Sequence, residues 1–559
     1  MSLSRRQFLT YLGVGSYAAL TVTGVVGKPD FPWRKRKGPA PKFFAPIELS
    51  AKDALVLPQG IRADLLVSWG DPLGSKAPDG SAEHFGFNND FTAYFPIDAL
   101  TGGKNSAEGL LWVNHEYPNP LFVSGYSPAD YRANKKKSAE QIGLERLSVG
   151  GSVLHIRREQ EKWNLIQGSK FNRRLTASYP EMSLTGPASK LLPTAIGTLA
   201  NCSGGRTPWF TVLSCEENYP DFNGYDPADT LCRWSDEPTL AIDESRYGWV
   251  VEVDPFNELP PRKHTALGRF KHENAAICVG PTGKLVVYMG DDEVDQHLYK
   301  FVSSQVVKSS ATRAEQSKVL EDGTLYAADL AKGQWIPLDW NAATKAIVEK
   351  SSAFADAKKK DPTLRIESQA DLLIHTRVVA KALGATPMDR CEDCEIHPLD
   401  RSLYVALTNN TKHGNLFGHI IRLLEDKDNS EETAFRYEVF LAGGPQSGLA
   451  CPDNLAFDKN GNLWVVCDIS SSKLGKGAYQ PFANNGLFVV PTAGDSAGDA
   501  FQFASGPIQS ELTGPWFTED ESTLFLSVQH PGEESQTAEQ PTSHWPGGGK
   551  SMPKPSVVA

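Results

Sequence analysis

The chain of 559 residues carries 56 lysines and arginines against 67 aspartates and glutamates, a net charge of −11. That balance excludes a nucleic-acid partner, because a phosphate backbone would be repelled by a surface with no concentrated basic patch. The 48 glycines and 38 prolines lie between short apolar runs, which suits a large turn-rich β domain better than helices.

The N-terminus reads Ser4-Arg5-Arg6-Gln7-Phe8-Leu9 and continues into a mildly apolar stretch ending near Gly27. This is the pattern of a twin-arginine leader, which predicts handling by the twin-arginine export machinery and a periplasmic or secreted destination. No Ala-x-Ala site follows, so the leader is either cut near Gly27 or kept as an anchor. The dense basic run Arg34-Lys35-Arg36-Lys37 flanks it, and residues 1–40 read together as leader and flank.

From residue 41 to 535 the chain repeats one unit, a single predicted catalytic domain. Six apolar runs of strand length each end in a polar cluster. They are 110–113 into Asn114-His115-Glu116, 209–213 into Cys215-Glu216-Glu217-Asn218, and 285–289 into Gly290-Asp291-Asp292-Glu293. The others are 403–407 into Thr408-Asn409-Asn410, 463–466 into Cys467-Asp468, and 524–528 into Gln529-His530-Pro531. Each is preceded by a partner strand that opens on its own polar cluster: Asn88-Asn89-Asp90, Asn201-Cys202, His272-Glu273, Glu392-Asp393, Asp453-Asn454 and Glu511-Leu512-Thr513. In five units the two clusters stand fourteen to eighteen residues apart around a turn, the spacing at which a hairpin returns the second cluster beside the first. A third strand follows five hairpins, and the run 61–68 has the character to complete the sixth.

The pattern predicts an all-β, six-bladed propeller with inserted loops and short helices, closed by strands from both chain ends; an irregular pair of sandwiches is the alternative. The largest insertion, about 307–387, contains a helical stretch at 345–360. The Pro/Gly/Ser-rich end, 536–559, reads as weakly structured, with Ser543-His544-Trp545-Pro546 as a candidate docked strap.

Such a fold gathers the clusters at one rim, and so many carboxylates there require cations, calcium above all. Of the eight cysteines, Cys202 stands apart in the polar stretch Asn201-Cys202-Ser203-Gly204-Gly205, and a thiolate among carboxylates favours iron. Cys391-x-x-Cys394 has no second pair to make a zinc set, and most other cysteines read as buried apolar residues. Arg390 is the arginine of the rim clusters, and its planar fork suits a phosphate or carboxylate. His115, His272 and His530 read as ligands, acid–base groups or, more simply, hydrogen-bonded neighbours.

Several motifs, in order, resemble the PhoX-type alkaline phosphatase family. They include Trp112-Val113-Asn114-His115-Glu116, Asn201-Cys202-Ser203-Gly204-Gly205 and Gly268-Arg269-Phe270-Lys271-His272-Glu273. Met289-Gly290-Asp291-Asp292, Pro452-Asp453-Asn454, Glu511-Leu512-Thr513-Gly514-Pro515 and Gln529-His530-Pro531-Gly532-Glu533 extend the match to nearly the whole mature chain. The resemblance implies an exported phosphomonoesterase with an iron–calcium cofactor, acting on small phosphate esters, and a monomer is expected. It implies metal ligation by Glu116, Cys202, Glu216, Glu217, Glu273, Asp291, Asp292, Glu392 and Glu511, with Arg390 and Glu392 catalytic. Cys391 replaces a proline of the family, which puts loop rigidity in doubt, and Phe210 and Asn274 stand where glycines are usual, which puts substrate access in doubt. A calcium-dependent propeller lactonase and a non-enzymatic metal-binding propeller are the competing readings; the thiol and the excess of acids count against the lactonase.

Overall fold

The structure is a computed structural model that describes residues 38–223 and 233–559. Arg5-Arg6, the basic run to Lys37 and Cys232 lie outside the described residues.

The chain forms mostly antiparallel sheets, six of them with four or more strands, met in sequence order. Their first strands are Asn89–Pro96, Asn201–Arg206, Ala276–Val279, Cys391–Ile396, Pro452–Phe457 and Glu511–Phe517. Each pairs with the apolar run foreseen as its hairpin partner. Each first strand also neighbours the first strand of the next sheet, and the sixth returns to the first, so the six close a ring. Burial on both faces follows: all eight residues of Asn89–Pro96 are buried, so strict alternation of polar and apolar residues is lost there.

Two local devices recur where the first strands begin. Asn88, Ala200, Arg390 and Cys451, each immediately before a first strand, have φ of 51°, 54°, 62° and 51°, the left-handed region that side chains other than glycine adopt at a cost. Five first strands then carry a bulge two or three residues on, between Asn89 and Thr92, Asn201 and Gly204, Cys391 and Cys394, Pro452 and Leu455, and Thr513 and Trp516. A bulge re-aims side chains and adds twist, and here it falls on the rim clusters.

The sheets are tied to one another by polar bonds as well as by apolar cores. Asn114 Nδ2 donates to the carbonyls of Cys202 and Ser203 (2.8 and 2.9 Å), and Ser203 N donates to Glu273 O (3.0 Å). Asn274 Nδ2 donates to Cys394 O (2.6 Å), Leu455 N to Asp393 Oδ2 (2.8 Å), Gly514 N to Asn454 Oδ1 (2.8 Å), and Thr92 Oγ1 to Gly514 O (2.7 Å). These bonds pass once around the ring.

Three expectations change. The insertion 307–387 is not wholly peripheral, because Gly323–Asp329 and Gln334–Pro337 are the fourth and fifth strands of the third sheet. Its helical stretch is two helices, Ala342–Lys350 and Ser352–Lys360, divided at Ser351, whose hydroxyl accepts from Phe354 N and caps the second. The C-terminal segment is structured, not weakly so. Asp53 accepts from Ser543 Oγ (2.6 Å) and His544 N (2.7 Å), and the chain ends in the strand Ser556–Val558. That strand sits between Leu65–Ser68 and Leu524–Gln529, so the N-terminal run joins the sixth sheet through the C-terminal strand and not directly.

Val557 is completely buried at this junction. Val557→Asp places an unpaired charge there and is expected to lower stability by on the order of 3 kcal/mol. Chemical denaturation checks this; an unchanged midpoint would mean that the terminal strand does not hold the ring.

Candidate functional site

The site is built where the left-handed residues turn the chain into the ring. Their carbonyls accept the N–H of the residue that follows each second strand: Glu116 N to Asn88 O (3.1 Å), Glu217 N to Ala200 O (2.8 Å), Thr408 N to Arg390 O (3.1 Å) and Asp468 N to Cys451 O (2.9 Å). In the third sheet Asp292 N donates to Lys271 O (3.2 Å), although Lys271 is not left-handed. One backbone frame thus sets Glu116, Glu217, Asp292 and Asp468, while the first strands and their approaches contribute Asp90, Cys202, Glu273, Glu392 and Asp453.

These side chains assemble into three overlapping donor groups. Asp90, Glu116 and Cys202 form one, Cys202, Glu217 and Glu273 the next, and Glu273, Asp292 and Glu392 the third; within each, the ligand atoms lie within 4.8 Å of one another. Cys202 Sγ is 3.3 Å from Asp90 Oδ2 and 3.0 Å from Glu273 Oε1, which makes it the hinge of the first two groups. All seven side chains are buried.

The electrostatics fit cations. Burial pushes Asp90 up to about 7 and drives Glu116, Glu217, Glu273 and Glu392 well above the carboxylate range, with neighbouring carboxylates adding to the shift. Burial and the same acids raise the Cys202 thiol. Asp90 Oδ1 and Glu273 Oε2 are buried with no hydrogen-bond partner in the protein, an arrangement that leaves lone pairs for an ion. A buried oxygen-rich set with one sulfur is what hard cations and one thiophilic ion require.

Arg390 stands at the edge of the third group. Its Nε and Nη2 grip Asp292 Oδ1 and Oδ2 (2.9 and 2.7 Å), and Nη2 lies 3.0 Å from Glu392 Oε1, an ion pair without hydrogen-bond alignment. Against the effect of burial, Arg390 holds Asp292 below the ordinary aspartate value.

Two of the expected ligands are held by other partners, and a third borders the donor groups. Glu216 faces the opposite side of its strand from Glu217, where it accepts from the buried Lys263 Nζ (2.7 Å), Thr198 Oγ1 (2.9 Å) and Trp249 N (3.2 Å). Asp291 is gripped by Arg377 through Nε (2.8 Å) and Nη2. Glu511 lies 3.2 Å from His530 Nε2 and belongs with Asp453 and Asp468 in an adjoining acidic group. His115 is a hydrogen-bonded core residue, on Phe87 O and Ser152 Oγ, and His272 bonds Gly268 O. Asp90 belongs to the rim carboxylates that call for cations but not to the ligands that the resemblance implies, and Gln529, whose amide donates to Glu116 Oε2 (2.6 Å), carries only its place in a rim cluster as a signal. Phe210 (φ 60°) occupies the turn at the far end of its hairpin, and Asn274 is one of the ring bonds.

In the absence of cations the raised carboxylates hold protons that the unfolded chain, with acids ionising near ~4, has already released. The sign follows: between about pH 4 and 7 the unfolded state binds fewer protons, so stability of the cation-stripped protein falls as pH rises through that window. Chelator-treated protein is expected to melt higher at about pH 5 than at about pH 8, with added calcium recovering more at the higher pH. A melting temperature that rises with pH in chelator would contradict the burial of these acids.

A family model described as Alkaline phosphatase PhoX matches residues 42–532. A comparison with curated protein sequences gives no match. Among solved structures, Pseudomonas fluorescens PhoX in complex with vanadate, a transition-state analogue, is 31% identical with a TM-score of 0.76, over 92% of this chain and 97% of that one. A gluconolactonase from Xanthomonas campestris is 9% identical with a TM-score of 0.29, over 86% and 95%, too remote to carry an argument. With the family model spanning all six first strands and the assembled donor groups, the chain belongs to the PhoX alkaline phosphatase family.

Proposed function

We propose that this phosphatase is an exported phosphomonoesterase, built as a six-bladed propeller and holding iron and calcium along its axis. The closed ring of first strands supports the propeller, and the twin-arginine pattern at Arg5-Arg6 supports export. Cys202, shared by two donor groups, supports iron at the sulfur end, with Asp90, Glu116, Glu217 and Glu273 as its companions. The all-oxygen group of Glu273, Asp292 and Glu392 supports calcium. Bound cations there would supply electrostatic stabilisation of a phosphoryl group in transfer.

The observation that carries the reading is the clamping of Arg390. Asp292 takes two of its donors and Glu392 lies against one of them, while no hydrogen bond among the described residues uses Nη1. The guanidinium is therefore fixed before substrate arrives, and Nη1 is available to a phosphoryl oxygen. A preoriented charge of this kind acts most strongly on the additional charge of the transition state. Vanadate in the Pseudomonas fluorescens relative is in keeping with a site shaped for a five-coordinate phosphoryl group.

Arg390→Ala is expected to lower p-nitrophenyl phosphate turnover about a hundredfold, corresponding to ~3 kcal/mol, with bound metal nearly unchanged. Cys202→Ala is expected to lose iron together with activity. Turnover and plasma emission on both variants check this: full activity in Arg390→Ala would assign the phosphate grip to another residue, and wild-type protein with calcium alone would exclude iron.

Export is tested separately. Arg5-Arg6→Lys-Lys is expected to leave the protein in the cytoplasm, read by fractionation; unchanged periplasmic activity would refute the twin-arginine route.

A further inference from the structure

A cavity lies at the opposite end of the ring from Arg390. It has a volume of about 280 Å³ and is lined by the far halves of five of the six first strands' sheets, from Phe91 and Arg206 to Glu395, Phe457 and Trp516. A layer one residue thick separates it from the donor groups. Glu392 and Asp453 lie on the metal side of that layer, and their successors Asp393 and Asn454 line the cavity. The layer is closed by hydrogen bonds, from Leu455 N to Asp393 and from Gly514 N to Asn454, so the cavity is a compartment of its own.

Its charge is unevenly satisfied. Four acidic and two basic side chains line it. Of the basic ones, Arg206 pairs with Glu519 Oε1 (2.8 Å) and lies over the Trp516 ring (5.4 Å), while Lys459 is exposed at the rim, its Nζ donating to Glu519 O (2.5 Å). Asp393 spends its carboxylate on two backbone N–H groups. Glu395 differs. One oxygen accepts from Ile396 N (2.8 Å), and the other has no hydrogen bond or ion pair among the described residues. Burial pushes its carboxyl up to about 7, and its remaining exposure is to the cavity. With four acids against two bases the lining favours a cation, and Glu395 offers it an uncompensated carboxylate between aromatic residues.

We propose that this cavity is a binding site for a small organic cation of the alkylammonium class, held by Glu395 and by the aromatic residues Phe91, Phe457 and Trp516. A carboxylate supplies the charge and ring faces supply polarisable, weakly hydrating walls, the combination that favours methylated over strongly hydrated cations. The site is independent of the phosphate grip and of the metal donors.

The test uses the intact metal-loaded protein, with tetramethylammonium and propylammonium chlorides as probes and sodium chloride as the ionic-strength control. Calorimetry and tryptophan fluorescence are expected to show saturable binding of an ammonium probe and none of sodium. Glu395→Gln is expected to weaken binding at least tenfold while p-nitrophenyl phosphate turnover and the melting temperature stay at wild-type values, which separates loss of the site from loss of the fold. Trp516→Leu is expected to weaken tetramethylammonium more than propylammonium. No saturable binding of either probe, or undiminished binding by a folded Glu395→Gln, would overturn the proposal.

Discussion

The molecule depends on a single circuit of buried hydrogen bonds that joins each sheet to the next. Asn114, Asn274, Asp393, Asn454 and Thr92 each use a short polar side chain to satisfy a backbone group of the neighbouring sheet. Apolar packing between sheets is adaptable in register, since a shifted leucine still finds apolar neighbours. A buried amide is not adaptable, because displacing it leaves donor and acceptor unpaired at a cost of about 1–3 kcal/mol each. The circuit therefore fixes the rotation of each sheet against the next, and the metal donors, which sit on the same strands one residue away, inherit that precision.

The same strands carry a conflict between folding and chemistry. Six buried acids and one thiol within a few ångströms oppose one another, and burial raises nearly all of them. The frame that tolerates this is backbone: left-handed residues whose carbonyls receive the rim N–H groups, and bulges that aim the side chains inward. Arg390 occupies one of those left-handed positions, equivalent to Asn88, Ala200 and Cys451 in other sheets. Its place in the site is thus a use of a position that four of the six units share for turning the chain, and its side chain is free for charge because its backbone does the structural task.

Much of this was legible in the sequence, and the failures have a common cause. Strand runs and turn residues located the hairpins, since both are local signals. Adjacent acids were not separable, because neighbours on a strand point to opposite sides. Glu216-Glu217, Asp291-Asp292 and Glu392-Asp393 each split into one residue in the donor groups and one bound structurally. Which is which depends on distant partners, Lys263 for Glu216 and Arg377 for Asp291, the latter contributed by the insertion. The terminal strand was hidden for another reason: three residues among prolines and glycines carry no periodicity, and only pairing on both sides makes Ser556–Val558 a strand.

That strand has a bearing on the order of events in the cell. The sixth sheet is complete only when residues 556–558 insert between Leu524–Gln529, made shortly before them, and Leu65–Ser68, made before any strand of the ring. Asp90 and Glu116, near the beginning of the ring, are made well before Glu273 and Glu392, which complete the donor groups. The donor groups therefore assemble only by long-range closure, the slow kind of folding step. Any leader that delays departure from the compartment of synthesis would lengthen the interval in which the finished ring can be loaded.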